Sequence, residues 1–240
     1  MAAPAVIPQT LFVGQATAAG ATILASLTTT AIRITAILIT NIDTSAHNIS
    51  IYSSIGPMNL TDDQALYKNK LVDSGDTLSL LVPRVIGDYF NVGIGRLGVQ
   101  ADADSVLNVT VYGAIVNGAH ADVGRSAPVQ SFQGVLTTNP AVSPLFGVAT
   151  ANISGVLMSL VLCNTSAANH SVDIKVSFDG GGSYTDLYID YPVPANDTVE
   201  IEDPIIVGVA AGTGLEILVA GADANGVITA TASMVYVNVG

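Results

Sequence analysis

Three histidines, one cysteine and nineteen acids are the residues of this 240-residue chain that could most readily do chemistry. His47 and His170 each stand in an Asn- and Ser-rich turn without a second histidine nearby, and His120 lies between the two halves of the chain. Zinc asks for three or four ligands at once, which scattered histidines and a lone cysteine do not supply. A turn histidine bonded to its own loop is therefore expected at both places, and no metal. Asp62 with Asp63, Asp102 with Asp104, and Asp179 with Asp186 and Asp190 could gather calcium through loop oxygens. None has EF-hand spacing, and aspartates also start turns by bonding their own backbone, which is the role expected of them. As acid pairs for glycoside hydrolysis they lack sugar-gripping surroundings, for the chain has no Trp.

Gly93-Ile-Gly95-Arg-Leu-Gly98 has the glycine spacing of a dinucleotide site, where a tight turn meets pyrophosphate at a helix start. The next residues, Val-Gln-Ala-Asp-Ala-Asp, make a turn rather than a helix, and Leu215 to Ala220 keeps no such pattern. A glycine-containing strand is expected, and no cofactor. Cys163 closes the apolar run Val156 to Leu162 and reads as a buried strand residue, not an activated thiolate. No Gly-x-Ser-x-Gly elbow occurs. Seven Asn-x-Ser/Thr triplets, among them Asn48, Asn108 and Asn196, matter only on a glycosylating route. The start MAAPAVIPQTLFVG lacks the positive end and apolar middle of a secretory signal, so manufacture in a cytoplasm is expected. No catalytic residue is assigned, and the chain reads as non-enzymatic.

The elements that hold these residues are strands. Glu and Lys each occur three times, while Val, Ile, Thr, Ala, Gly and Asn crowd the chain, a mixture poor in helix formers and rich in strand and turn formers. Seven Lys and Arg against nineteen acids give a net charge of -12, which repels phosphate backbones and excludes a nucleic-acid partner. No apolar run is long and uncharged enough for a transmembrane helix: residues 22–42 contain Arg33, and Ile153–Cys163 is too short. Mean hydropathy is +0.55 with only 11% charged residues, so the surface must be covered by small polar side chains or by another subunit.

The chain is duplicated. A shift of 121 lays Ala101-Asp-Ala-Asp-Ser-Val-Leu107 on Ala222-Asp-Ala-Asn-Gly-Val-Ile228, Asp76-Thr-Leu78 on Asp197-Thr-Val199, and Pro83 on Pro204. Upstream the shift becomes 123, matching Asn41 to Asn164, His47 to His170 and Ile49-Ser-Ile51 to Val172-Asp-Ile174, so a two-residue difference lies in a loop between. Gln9 to Gly14 resembles Gln130 to Gly134, which places the boundary around His120 to Arg125 and the domains at 1–122 and 123–240. Within each copy the hydrophobic period is two: Val172, Ile174, Val176 and Phe178 alternate with polar residues, as do Leu107, Val109 and Val111. Seven or eight short strands per copy, separated by Asp-, Asn- and Gly-rich turns, predict an all-β chain of two tandem antiparallel β-sandwich or jelly-roll domains.

The copies differ in charge. Residues 1–122 carry five basic and nine acidic side chains, net -4; residues 123–240 carry two and ten, net -8. The first copy, which holds Arg33, Lys68, Lys70, Arg84 and Arg96, is expected nearer a partner surface, with Arg33, Arg84 and Arg96 as the partner-binding residues. Met1 to Gln9, apolar and proline-bearing without strand alternation, reads as an arm laid over a neighbour.

The stretch Asn164-Thr-Ser-Ala-Ala-Asn-His-Ser-Val-Asp-Ile-Lys-Val-Ser-Phe-Asp-Gly-Gly-Gly-Ser-Tyr184, then Ala195-Asn-Asp-Thr-Val-Glu-Ile201 and Ala222-Asp-Ala-Asn-Gly before a final strand, resembles the plan of tailed-bacteriophage virion proteins, the β-sandwich modules that decorate heads or build necks and tails. The resemblance covers most of both copies and is one of pattern. It implies a capsid decoration or cement protein acting through intersubunit contacts with capsid subunits or its own copies, with no catalytic residues to carry over. The duplication departs from one module per chain; a fused pair would stand in for a dimer. A neck or tail component is the alternative within that group. A carbohydrate-binding or adhesion module is the alternative outside it, kept open by Tyr184, Tyr188 and Tyr191 around one loop.

Overall fold

Strands account for nearly all the regular structure in the computed structural model, which describes residues 9–25, 30–80, 84–86, 95–117, 126–139, 144–147, 153–177, 182–202, 205–207 and 217–238. Met1 to Pro8 of the expected arm, His120 with the expected boundary to Arg125, Gly93 and Asp179 lie outside the described residues.

The chain divides into two compact units, Met1–Gly118 and Ala119–Gly240. The first contains β1 (Gln9–Gln15), β2 (Ala21–Ala25), β3 (Thr30–Asn41), β4 (His47–Ile55), β5 (Ala65–Val72), β6 (Thr77–Leu80), β7 (Arg84–Ile86), β8 (Gly95–Ala101) and β9 (Leu107–Asn117). One turn of 3-10 helix, Asp62–Gln64, precedes β5. The second contains β10 (Ser126–Val135), β11 (Pro144–Gly147), β12 (Ile153–Asn164), β13 (His170–Ser177), β14 (Thr185–Val193), β15 (Thr198–Ile201), β16 (Ile205–Val207), β17 (Ile217–Ala222) and β18 (Ile228–Asn238). The described residues thus hold nine strands per unit where seven or eight were expected. The excess arises because β6 and β7 both lie along β3, and β15 and β16 both lie along β12.

Each unit is an antiparallel sandwich. In the first, one sheet runs β1-β9-β3-β6 with β7 also on β3, and the other β2-β8-β4-β5; in the second, β10-β18-β12-β15 with β16 on β12 faces β11-β17-β13-β14. Successive strands pass back and forth between the sheets, which is the winding of a jelly roll. The inner faces meet through Ile34, Ile37, Ile39, Ile49, Ile51, Leu97 and Val109 in the first unit, all essentially without exposed surface. Leu160, Leu162, Val172, Ile174, Leu218 and Ile228 do the same in the second.

The duplication extends to the irregularities. Register shifts fall between Thr10 and Phe12 and between Gln130 and Phe132. They recur between Ile34 and Ala36 and between Leu157 and Ser159, and between Ile49 and Ile51 and between Val172 and Ile174. A bulge redirects a strand, so copying bulges copies the curvature of the sheet. Gly113 answers one of them: a Cβ there would stand 2.2 Å from the carbonyl oxygen of Arg33, on the strand opposite. The two-residue difference between the copies lies in one connection, 56–64 between β4 and β5 against 178–184 between β13 and β14. One asymmetry is large. Along β12 and β18 both faces are buried, from Ser159 to Asn164 and from Ile228 to Met234, whereas β3 alternates, with Arg33 and Thr35 exposed between buried isoleucines.

Candidate functional site

Both units close their turns with the same buried asparagine. Asn41 Nδ2 donates to the carbonyls of Ser45 and Val72 at 2.7 and 2.8 Å, and its Oδ1 accepts the Asp43 N–H at 2.9 Å. Asn164 repeats this with Ala168 and Val193 at 2.7 and 3.0 Å and the Ser166 N–H at 2.9 Å. Beside each clamp a histidine ties the start of a strand to a turn aspartate: His47 Nδ1 meets Asp102 Oδ1, and His170 Nδ1 meets Asp223 Oδ1, both at 2.8 Å. His47 has a second carboxylate, Asp43 Oδ2, 2.8 Å from Nε2; Ser166 stands at that place in the other unit. With an acceptor on each nitrogen both must donate, which only the imidazolium does. Its pKa is raised by the hydrogen bond to Asp43 and then by that to Asp102, against an opposing desolvation. Asp43 is correspondingly lowered, chiefly by His47. For Asp102, burial pushes upward but the Asn48 N–H and His47 together outweigh it, and its pKa falls.

These contacts settle what most of the grouped aspartates do. Asp102 serves His47 and the Asn48 N–H, while Asp104 accepts the Ala18 N–H at 2.7 Å, as Asn225 accepts that of Thr138 at 2.8 Å. Asp62 pairs with Lys68 at 2.5 Å. Among the described residues no three His, Cys, Asp or Glu side chains group so as to hold a metal. Gly95 and Gly98 of the glycine pattern lie within strand β8, and Cys163 is buried on β12.

Of the three arginines, Arg33 and Arg84 belong to strands of one sheet and Arg96 to a strand of the other. Arg33 is exposed on β3, and β7 places Arg84 opposite Ile34 of that strand. Arg96 is on the other sheet, half-buried, and its Nη1 donates to the carbonyl of Gly56. It thereby helps fasten the β4–β5 connection. Buried Gln64 does more of this work: Oε1 accepts the N–H groups of Asn59 and Leu60 at 2.8 and 3.1 Å, and Nε2 donates to the Pro57 carbonyl at 2.9 Å. So held, the connection lays Met58 and Leu60 over Gly98, where a Cβ would come within 2.7 Å of the Leu60 side chain. Tyr52 and Gln100 fill the rest of this face, the tyrosine hydroxyl donating to Gln100 Oε1 at 3.2 Å and Gln100 Nε2 to the Ala18 carbonyl at 2.9 Å.

On the matching face of the second unit the filling residues are replaced. The shared register puts Lys175 where Tyr52 stands, Gly221 where Gln100 stands, and Asp173 where Ser50 stands. A cavity of about 390 Å3 opens there, lined by Thr138, Ser171, Asp173, Lys175, Asp190, Gly221 and Asp223. Lys175 Nζ is 2.8 Å from Asp186 and 3.6 Å from Asp173, and its pKa is raised, first by Asp186. Asp190 adopts a left-handed φ of 50° and donates its N–H to Asp173 Oδ1 at 2.9 Å. Asn69 in the first unit has φ 51° and donates likewise to Ser50 Oγ at 3.0 Å. The backbone at these two positions is therefore common to both copies, and the side chains it carries differ. Tyr188 and Tyr191 on β14 pair with the buried Ile174 and Val172 and pack edge to face, 5.6 Å between centroids, and Tyr184 is exposed just before that strand. Sequence reasoning missed this cavity because its walls come from strands that are far apart in the chain.

No family model and no curated protein matches the chain. Among solved structures it is similar to the Sulfolobus turreted icosahedral virus structure, at 12% identity over 97% of this chain and 91% of that one, TM-score 0.35. It is similar to the major capsid protein P2 of bacteriophage PM2, at 8% identity over 96% and 97%, TM-score 0.35. It is also similar to the glycosylasparaginase PNGase F of Flavobacterium meningosepticum, at 12% identity over 98% and 96%, TM-score 0.33. Capsid proteins and an enzyme stand at the same level of likeness, so function has to be argued from the residues of the chain itself. Those residues place it among all-β chains built of two antiparallel sandwiches.

Proposed function

We propose that the chain is a non-enzymatic structural protein of a virus particle, a decoration or cement protein of a phage head that bridges neighbouring capsid subunits. In this reading it is made in the host cytoplasm, acts as tandem copies 1–122 and 123–240, and contacts capsid subunits and its own copies. The observation that carries it is the exterior: with 11% charged residues, the described surface exposes Val13, Leu71 and Ile189 at 72, 58 and 65%. Large apolar side chains at that exposure fit burial against a partner, since lasting interfaces are larger and more apolar than transient ones. Sandwiches locked by buried asparagine-to-backbone bonds suit a bridging role. Arg33, exposed on β3 in the more basic copy, is the leading contact, with Arg84 on the adjoining β7 and Arg96 as the further ones. The test is co-sedimentation of the purified chain with emptied phage heads and, separately, with tails. Stoichiometric attachment to heads is expected. Attachment to tails alone would move the protein to the neck or tail, and attachment to neither would end the reading.

A further inference from the structure

A single residue separates the histidine turns of the two copies. In each unit a histidine at the start of a strand is bonded to the turn before the last strand, His47 to Asp102 and His170 to Asp223, both at 2.8 Å. His47 alone has a carboxylate on its other nitrogen, Asp43 Oδ2 at 2.8 Å, where the second unit carries Ser166. We infer that His47 is a pH-operated latch confined to the first copy, which holds the turn 42–46 while the imidazole is charged and releases it when the imidazole is neutral.

The ring's two nitrogens set the mechanism. An imidazolium donates from both and serves both carboxylates; a neutral ring keeps one proton and turns a lone pair toward the other carboxylate. Asp102 retains the N–H of Asn48 at 2.8 Å and its side-chain amide at 3.3 Å, so the arm that lets go is Asp43. His170 needs only an Nδ1–H for Asp223, which a neutral ring supplies, so the second copy has no such release. Among the described residues the charged groups around His47 are acidic: Asp43 from its own turn, Asp102 from the turn between β8 and β9, and Asp73 on the β5 side, next to Val72, which pairs with His47. The hydrogen bonds to Asp43 and then Asp102 raise the pKa of the half-buried ring. The latch is therefore complete below the ordinary histidine value and is lost as pH rises through the raised one. The loosening is local, because the Asn41 side chain still accepts the Asp43 N–H and donates to the Val72 carbonyl.

Amide hydrogen exchange of the full chain, followed by NMR from roughly pH 5.5 to 8.5 and corrected for the intrinsic rate at each pH, tests this. The Ile42 N–H, bonded to the Val106 carbonyl at 3.0 Å, reports the first turn, and the Thr165 N–H, bonded to the Val227 carbonyl at 2.9 Å, is the control in the same molecule. Protection at Ile42 should fall about threefold or more as pH rises while that at Thr165 stays level. Asp43→Ser should make Ile42 insensitive to pH, and Ser166→Asp should give Thr165 the dependence found at Ile42. Equal changes at both amides, no change at Ile42, or a level Thr165 in Ser166→Asp overturns the latch. The comparison within the wild-type chain stands should either variant fail to fold, and no outcome depends on attachment to phage heads.

Discussion

Replacing Asn164 by alanine removes three hydrogen bonds from a side chain with no exposed surface: two to the carbonyls of Ala168 and Val193, one from the Ser166 N–H. At about 1 kcal/mol net for each, the loss is about 3 kcal/mol. Alanine cannot replace either donor, and the Val193 carbonyl is left in a buried setting. For a unit of roughly 120 residues, 1 kcal/mol moves the midpoint by about 3–5 °C, so the second unit should melt about 10–15 °C lower. Differential scanning calorimetry reads this directly, the destabilised unit separating as an earlier transition. Asn41→Ala should shift the first unit by a similar amount, because its three bonds have the same partners in the copy. Asn164→Asp keeps the acceptor but turns a carboxylate toward two carbonyls, and should be no better than alanine. A shift under about 2 °C for Asn164→Ala, or wild-type stability for Asn164→Asp, would refute the clamp.

His47 should titrate above its ordinary value by NMR, and Asp43→Asn should bring the midpoint down. Because the folded value is raised, its contribution to stability is complete below the unfolded pKa of about 6.5 and is lost as pH rises through the folded value. The first unit should therefore soften to urea over that rise, and an unshifted midpoint contradicts the double contact. Gly113→Ala forces a Cβ against the carbonyl of Arg33 and should cost about 1–3 kcal/mol in chemical denaturation, with no loss meaning that β3 gives way there. Charge reversal of Arg33 or Arg84 should weaken assembly, measured by co-sedimentation, more than reversal of Lys175, which is neutralised within its own sheet; equal effects count against a basic contact face.

The duplicated architecture was legible because the residues that repeat are the ones that lock turns. Asn41 and Asn164, His47 and His170, and the Ala-Asp-Ala segments recur at fixed shifts since each holds a bond the fold needs. Period-two alternation exposed β9 and β13, each with one face on the core. It could not reveal that β12 and β18 are buried on both faces: Thr229, Thr231 and Ser233 read as a solvent face by type. The aspartates were expected to bond their own turns, whereas Asp102 holds a histidine and Asp104 a backbone N–H that both lie far off in the chain. The cavity was hidden for a reason of register. Asp173 meets Gly221 across β13 and β17, and only the pairing, not either residue alone, distinguishes this face from that of Ser50 and Gln100 in the first unit.

Sedimentation velocity of the full chain over a hundredfold range of concentration, alone and with emptied phage heads, bears most directly on why so weakly charged an exterior exists. Concentration-dependent self-association together with saturable, stoichiometric binding to heads is the predicted result. A chain that remains a single 24.4 kDa species at every concentration and leaves heads and tails bare would contradict it.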